Sequence, residues 1–173
     1  MKPYMIWEGS SEDFTTKEVN KLLSLAQEYA DEHSGCKKVS VGAVIVTNGT
    51  VPWLVFGANR AVPDLCKSTE CRRIELYGED SKNHRLPSDC RSIHSEIDAI
   101  CNAAKLGISI EGATIFVTRY PCEACARAII SSGIKMVCYG REQQISKETT
   151  NMLMREGVNF CWYREFKRDD TER

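Results

Sequence analysis

From residue 94 to residue 163 the chain alternates single helical patterns with short apolar runs, and this alternation restricts the fold more than any other feature. A helical pattern over 94–106 closes at Gly107, "ATIFVT" reads as a strand, and "CEACARAIISSG" reads as a helix closing at Gly133. "KMVCYG" follows as a strand, "SKETTNMLMREG" as a helix with Ser146 at its N-cap, and "VNFCWYR" as a last strand. Strands separated by single helices build βαβ units, whose crossovers cover the faces of a partly parallel sheet. Upstream, Thr15 to Glu18 makes a capping box. Val19, Leu22, Leu23, Ala26 and Ala30 then hold helical spacing to about His33. "VSVGAVIVT" is β-branched and almost continuously apolar, a strand buried on both faces. Asn48-Gly49 turns it back into "PWLVFGAN". The expected architecture is a three-layer α/β/α sandwich around a mixed five-stranded sheet, one domain over 1–173, with residues 1–13 an irregular arm.

Residues 60–93 break the pattern. They hold Cys66, Cys71, His84 and Cys90 among polar residues with little periodicity, which is long for a loop without its own structure. The nine cysteines are an odd number in a chain without the apolar stretch of an export signal. That usage argues against a disulfide framework and for metal binding, and the lack of a secretory pattern makes a cytoplasmic location the expectation. Cys101, Cys138 and Cys161 sit inside apolar runs and are expected to act as small buried hydrophobes. With a net charge of −1, no general attraction to nucleic acid or anionic membrane is expected. No apolar run reaches the length of a membrane span.

Two short motifs carry chemistry. "SIHSEIDAICNAAK" places His94 and Glu96 at the mouth of one helical pattern, and "RYPCEACARAI" places Cys122 and Cys125 at the mouth of another. A catalytic zinc uses three nitrogen or sulfur ligands and leaves one position open. His94, Cys122 and Cys125 supply three, and a helix N-terminus favours the thiolate form of the cysteines. Pro121 suits the boundary before that helix. Glu96 is not needed as a ligand, because two thiolates and an imidazole already neutralise the ion. It is placed to move a proton from water to a ring nitrogen and then to a leaving amine. A lone His-x-Glu is usually a helix surface, and a lone Cys-x-x-Cys can be a redox pair or half of a structural zinc site. Their joint occurrence is the H-x-E…P-C-x-x-C signature of zinc nucleobase deaminases.

The chain resembles the deoxycytidylate (dCMP) deaminases of the cytidine deaminase-like superfamily. The residues that carry the resemblance are "VGAVIV" (41–46), "GAN" (57–59), "HSEIDAI" (94–100) and "YPCEACARAIISSGIKMVCYG" (120–140). The resemblance implies a catalytic Zn2+ on His94, Cys122 and Cys125, with Glu96 as the proton shuttle. It places Asn59 against the deoxyribose and Tyr120 against the pyrimidine, or offering its carbonyl to the amino group. Lys38 is a candidate phosphate contact, though a solvated surface lysine reads equally well. Relatives are often homo-oligomers, and many respond to deoxynucleoside triphosphates.

The chain departs from the family in three places. His-Ala-Glu is His-Ser-Glu here, the Asn two residues after the Glu is Asp98, and Gly-Tyr-Asn-Gly is Gly-Ala-Asn-Arg. Asp98 lies one helical turn from His94 and would oppose a nearby phosphate. Arg60 could supply a compensating cation. In the insertion, Cys66, Cys71, His84 and Cys90 make a Cys₃His set suited to a closed structural zinc. Similar spacing occurs in some bacterial and phage members of the family, and such an ion would order a polar segment. The alternative is a flexible loop with reduced cysteines.

The expected reaction is dCMP + H2O → dUMP + NH3, on a small-molecule deoxycytidine nucleotide. One rival is a deaminase of a nucleoside, a modified cytosine or single-stranded nucleic acid. A nucleic-acid substrate calls for a basic groove with stacking aromatics, which the near-neutral balance disfavours. The other rival is a non-catalytic zinc-binding assembly module, which would have no use for Glu96.

Overall fold

Successive residues of the central strands face opposite sides of one sheet and so build two separate cores. The structure, a computed structural model, describes residues 1–9, 13–36, 39–61, 71–77, 90–141, 146–164 and 166; Lys38, Cys66 and His84 lie outside them. β1 (Tyr4–Ile6) precedes α1 (Thr16–His33), and the hairpin of β2 (Gly42–Val46) and β3 (Trp53–Ala58) follows. β4 (Arg60–Ala61), α2 (Arg72–Tyr77) and β5 (Ser92–Ile93) belong to the insertion. The alternating half comprises α3 (Ser95–Leu106), β6 (Thr114–Val117), α4 (Glu123–Ser131), β7 (Met136–Tyr139), α5 (Lys147–Arg155) and β8 (Asn159–Trp162).

The strand order is β1-β3-β2-β6-β7-β8. Pairing is antiparallel from β1 to β6 and parallel from β6 to β8. The mixed three-layer sandwich is therefore as expected, but the sheet has six strands and not five. The sixth is β1, in the stretch read as an irregular arm. Met5 and Ile6 are exposed, so no apolar alternation announces the strand, and backbone register with Leu54 and Trp53 makes it.

α1 lies on one face. Its Leu22, Leu23, Ala26 and Ala30 are buried against Val44, Val46, Leu54, Phe56 and Phe116. The Thr15 side chain accepts from the Glu18 amide while Glu18 reaches back to the Thr15 amide, so the capping box forms. α3, α4 and α5 lie on the other face, with Ala99, Ala103, Ala126, Ile129 and Leu153 against Ala43, Ile45, Val55, Ile115, Val117 and Val137. α3 closes at Gly107 in the left-handed conformation, φ 65°.

Two contacts place α3 on the sheet. A Cβ at Gly57 would collide with the Ser95 carbonyl oxygen and the Ala99 amide nitrogen, so β3 approaches the helix backbone to backbone. Asn102 Nδ2 also donates to the Phe56 carbonyl at 2.9 Å. The insertion is closed at its base by β4 and β5, with Arg60 opposite Ile93 and Ala61 opposite Ser92.

One expectation about cysteines needs correction. Cys101 is exposed, because it falls on the solvent side of α3. Cys138 is buried as expected and Cys161 partly buried; they are register partners in the parallel pair β7–β8, with Sγ atoms 2.7 Å apart. They border a cleft of about 340 Å³ on the α1 side, lined also by Phe14, Val19 and Met136.

Candidate metal centre and active site

The ligand residues stand at two helix starts. His94 is the N-cap of α3 and Cys122 the N-cap of α4, both with extended backbone, and neither side chain caps its own helix. Cys125 follows in the first turn of α4 and is buried. His94 Nδ1 lies 3.4 Å from Cys122 Sγ and 3.4 Å from Cys125 Sγ, and the three ligand atoms lie within 4.8 Å of one another. Among the described residues this is the one group of His, Cys, Asp and Glu side chains that could hold a metal.

The three groups hold one another's protons. A hydrogen bond from Cys125 and another from His94 bring the Cys122 thiol down to about 4, while burial opposes them. Cys125, which supplies that proton and is itself buried, is pushed up. Hydrogen bonds to Cys122 and Cys90 hold His94 up at about 10. One imidazole and two thiols with a shared proton network fit Zn2+, which needs deprotonated sulfur and neutral imidazole and takes the place of those protons.

Glu96 is 4% exposed. Burial pushes its carboxyl above the usual range, and the His94 charge partly offsets this. Ser95 Oγ donates to Glu96 Oε2 at 3.1 Å, so the serine that replaces the family's alanine orients the carboxylate. A buried carboxyl with a raised pKa beside a metal site suits a group that both takes and gives a proton.

His94, Ser95, Glu96 and Cys122 face a cavity of about 490 Å³ that Asn59, Cys71, Cys90, Arg119 and Tyr120 also line, a size suited to a small molecule. Asn59 is nearly buried. Its Oδ1 accepts from Ser34 Oγ and the Val41 amide, each at 2.8 Å, and its Nδ2 donates to the Val39 carbonyl at 2.9 Å. Three of the four hydrogen-bonding positions of that amide are thereby used, leaving a donor. The Tyr120 ring is fixed by its hydroxyl on Thr150 Oγ1 at 2.8 Å and by an edge contact with Tyr139.

Arg60 pairs with Asp98 beside the pocket. Its Nε donates to Asp98 Oδ1 at 2.7 Å, and it is not among the lining residues. The same contact gives Asp98 a cationic partner. Its carboxylate is buried, turned toward β3, and also accepts the Ala58 amide at 3.2 Å. Asp98 and Arg60 are 38 residues apart in sequence, so nothing local signalled the pair. Arg119 was missed altogether; its place directly before Tyr120-Pro121-Cys122 was the available signal. Cys71 and Cys90 line the same pocket as His94, and Cys90 Sγ lies 2.9 Å from Ser92 Oγ. The insertion thus forms part of the pocket wall.

The profile of the cytidine and deoxycytidylate deaminase zinc-binding region matches residues 16–141. ComE operon protein 2 of Bacillus subtilis is 31% identical over 125 residues, 72% of this chain and 60% of that protein. The deoxycytidylate deaminase of Enterobacteria phage T4 is 33% identical over 135 residues, 62% of this chain and 70% of that protein. The chain therefore spans less than two thirds of the Bacillus relative. The dCMP deaminase of cyanophage S-TIM5, solved in complex with dCMP and dUMP, shares the fold at a TM-score of 0.63 and 24% identity, covering 87% of this chain and 99% of that one.

Proposed function

The chain belongs to the cytidine and deoxycytidylate deaminase family, and we propose that it hydrolyses the 4-amino group of a deoxycytidine nucleotide, dCMP + H2O giving dUMP + NH3. The observation that carries this reading is Glu96, buried in the pocket beside His94, Cys122 and Cys125. A structural zinc site has no need of a buried carboxyl with a raised pKa.

His94, Cys122 and Cys125 would hold the zinc. Bound there, the ion supplies a Lewis acid and a nucleophile at neutral pH. Glu96 takes a proton from the attacking water and delivers it to the ring nitrogen N3, then takes the second proton from the new hydroxyl at C4 and gives it to the departing amine. Ser95 holds the carboxylate in place for both transfers. Asn59 has an amide hydrogen left to donate to a sugar hydroxyl. Tyr120, fixed at its hydroxyl and its ring edge, forms a rigid wall for the pyrimidine, with the preorganisation that catalysis needs.

A second zinc, on Cys66, Cys71, His84 and Cys90, belongs to this reading as a structural ion. Cys71 and Cys90 border the pocket, so that ion would brace a wall of the active site.

The test is ammonia release from dCMP by zinc-loaded protein, with Glu96→Gln beside it. Wild-type protein should turn over dCMP. Glu96→Gln should lose at least about 10³-fold in kcat, in line with loss of a general acid–base group, while keeping its zinc. Near wild-type turnover by a folded Glu96→Gln protein removes Glu96 from the chemistry.

A further inference from the structure

We propose that Cys138 and Cys161 form a reversible oxidation site, at which a small hydroperoxide converts two thiols on neighbouring strands into a disulfide. The site lies on the α1 side of the sheet, opposite the helices that carry the metal ligands, and it stands independently of the deaminase reading.

Register brings the pair together. Cys138 in β7 and Cys161 in β8 are direct partners across a parallel pair, so both side chains leave the sheet on the same face. Both join the core under α1, Cys138 buried and Cys161 partly buried. Neighbouring strands lie about 4.8 Å apart, within the roughly 4.4–6.8 Å that a disulfide spans between Cα atoms. The two Sγ atoms are in contact at 2.7 Å, and both residues are free thiols. A valine suits either strand position, so packing alone does not call for two thiols side by side.

The pair is also open to a small reagent. Both cysteines border the cleft of about 340 Å³ beside α1, which has room for a molecule the size of hydrogen peroxide. Among the described residues that line it, Asp13 is the one charged group. Its carboxylate opposes an anionic oxidant such as glutathione disulfide and leaves a neutral peroxide unopposed. Burial decides which sulfur attacks, because a thiolate is worse placed the deeper it lies. Cys138 keeps its proton and donates it toward Cys161. That hydrogen bond holds the Cys161 thiol below the ordinary cysteine range, against its own partial burial. The same contact and burial push the Cys138 thiol up. The Cys161 thiolate attacks one peroxide oxygen, the O–O bond breaks, and the expelled oxygen takes a proton from solvent. Cys161 is then a sulfenic acid. The Cys138 sulfur attacks the Cys161 sulfur, the S–O bond breaks, and hydroxide leaves as water with the Cys138 proton. The two sulfurs give up two electrons, and the peroxide oxygens take them. The new bond ties β8, which ends the strand order, covalently to β7. A dithiol reductant reverses the step by exchange.

The experiment treats zinc-loaded protein with hydrogen peroxide at neutral pH, blocks the remaining thiols with an alkylating reagent, and maps the peptides by mass spectrometry. Cys101, exposed on α3, is the internal reference. Wild type should yield a linked pair of peptides carrying Cys138 and Cys161, which dithiothreitol releases. The Cys161 thiol should be lost at least about 10-fold faster than that of Cys101, the advantage of a stabilised thiolate. In Cys138→Ala, Cys161 should stop at a sulfenic acid that dimedone traps. In Cys161→Ala, Cys138 should stay a thiol. Where a variant does not fold, the wild-type map alone decides. Cys138 and Cys161 both still alkylated after peroxide has consumed Cys101 overturns the proposal. So does a linkage that forms with glutathione disulfide but not with peroxide. Either result leaves the deaminase reading standing, since ammonia release from dCMP tests that separately.

Discussion

Asp98 shows how one residue changes its meaning once its surroundings are known. Read along the chain, it is a carboxylate one turn from His94 where the family has an amide, and it looks like an obstacle to an anionic substrate. In the fold its carboxylate joins Arg60 at 2.7 Å and the Ala58 amide at 3.2 Å. It thereby engages the residue on each side of Asn59, Ala58 through its amide and Arg60 through its side chain. Asp98→Ala leaves a buried amide without an acceptor and a half-exposed guanidinium without its partner. The expected loss is about 2–3 kcal/mol in denaturant unfolding, and Asp98→Asn should lose less because it still offers an acceptor. Equal stability for Asp98→Ala and wild type would show that the pair contributes nothing. His94, Glu96, Cys122 and Cys125 were legible because metal chemistry demands those residue types at helix starts. The Asp98–Arg60 pair was not, since a contact across 38 residues leaves no trace in local spacing.

Elements followed the sequence wherever periodicity made them. α1 is bounded by a capping box that can be read letter by letter, and α3 ends on the glycine that its pattern called for. β1 and the β4–β5 pair were illegible because they are two or three residues long and held by backbone register, not by an apolar face. α5 allows a test of how a helix start responds to acid. Ser146 Oγ accepts the Thr149 amide and donates to Glu148. The backbone amide of Glu148 and the Ser146 hydroxyl hold the Glu148 carboxyl below its usual value. Because the folded pKa is the lower one, this carboxylate stabilises the protein above its unfolded pKa, and the effect is lost as pH falls through the folded value. Glu148→Gln should therefore be slightly less stable than wild type at neutral pH and indistinguishable from it in strong acid. A difference that persists unchanged in acid would point to packing and away from charge.

At the scale of the molecule, the sheet divides the protein into a face that carries α1 and a face that carries the chemistry. The zinc ligands begin two separate helices, so an ion held by His94, Cys122 and Cys125 ties α3 to α4. Binding free energy at such a site is also folding free energy. Removing metal with a strong chelator should lower the melting temperature, and adding zinc back should restore it. Cys71→Ser should cost one equivalent of zinc if the insertion holds the second ion, whereas an unchanged count would leave only the site at His94. No helix among the described residues is long and apolar enough to cross a membrane. The close approach at Gly57 has a consequence for descent. The helix that bears His94 and Glu96 occupies the space where any side chain at position 57 would stand. The floor beneath the catalytic groups therefore admits no side chain, since even one added methyl forces β3 and the helix backbone apart. Variation in the pocket is left to its rim, in the insertion and in the loop that follows β6.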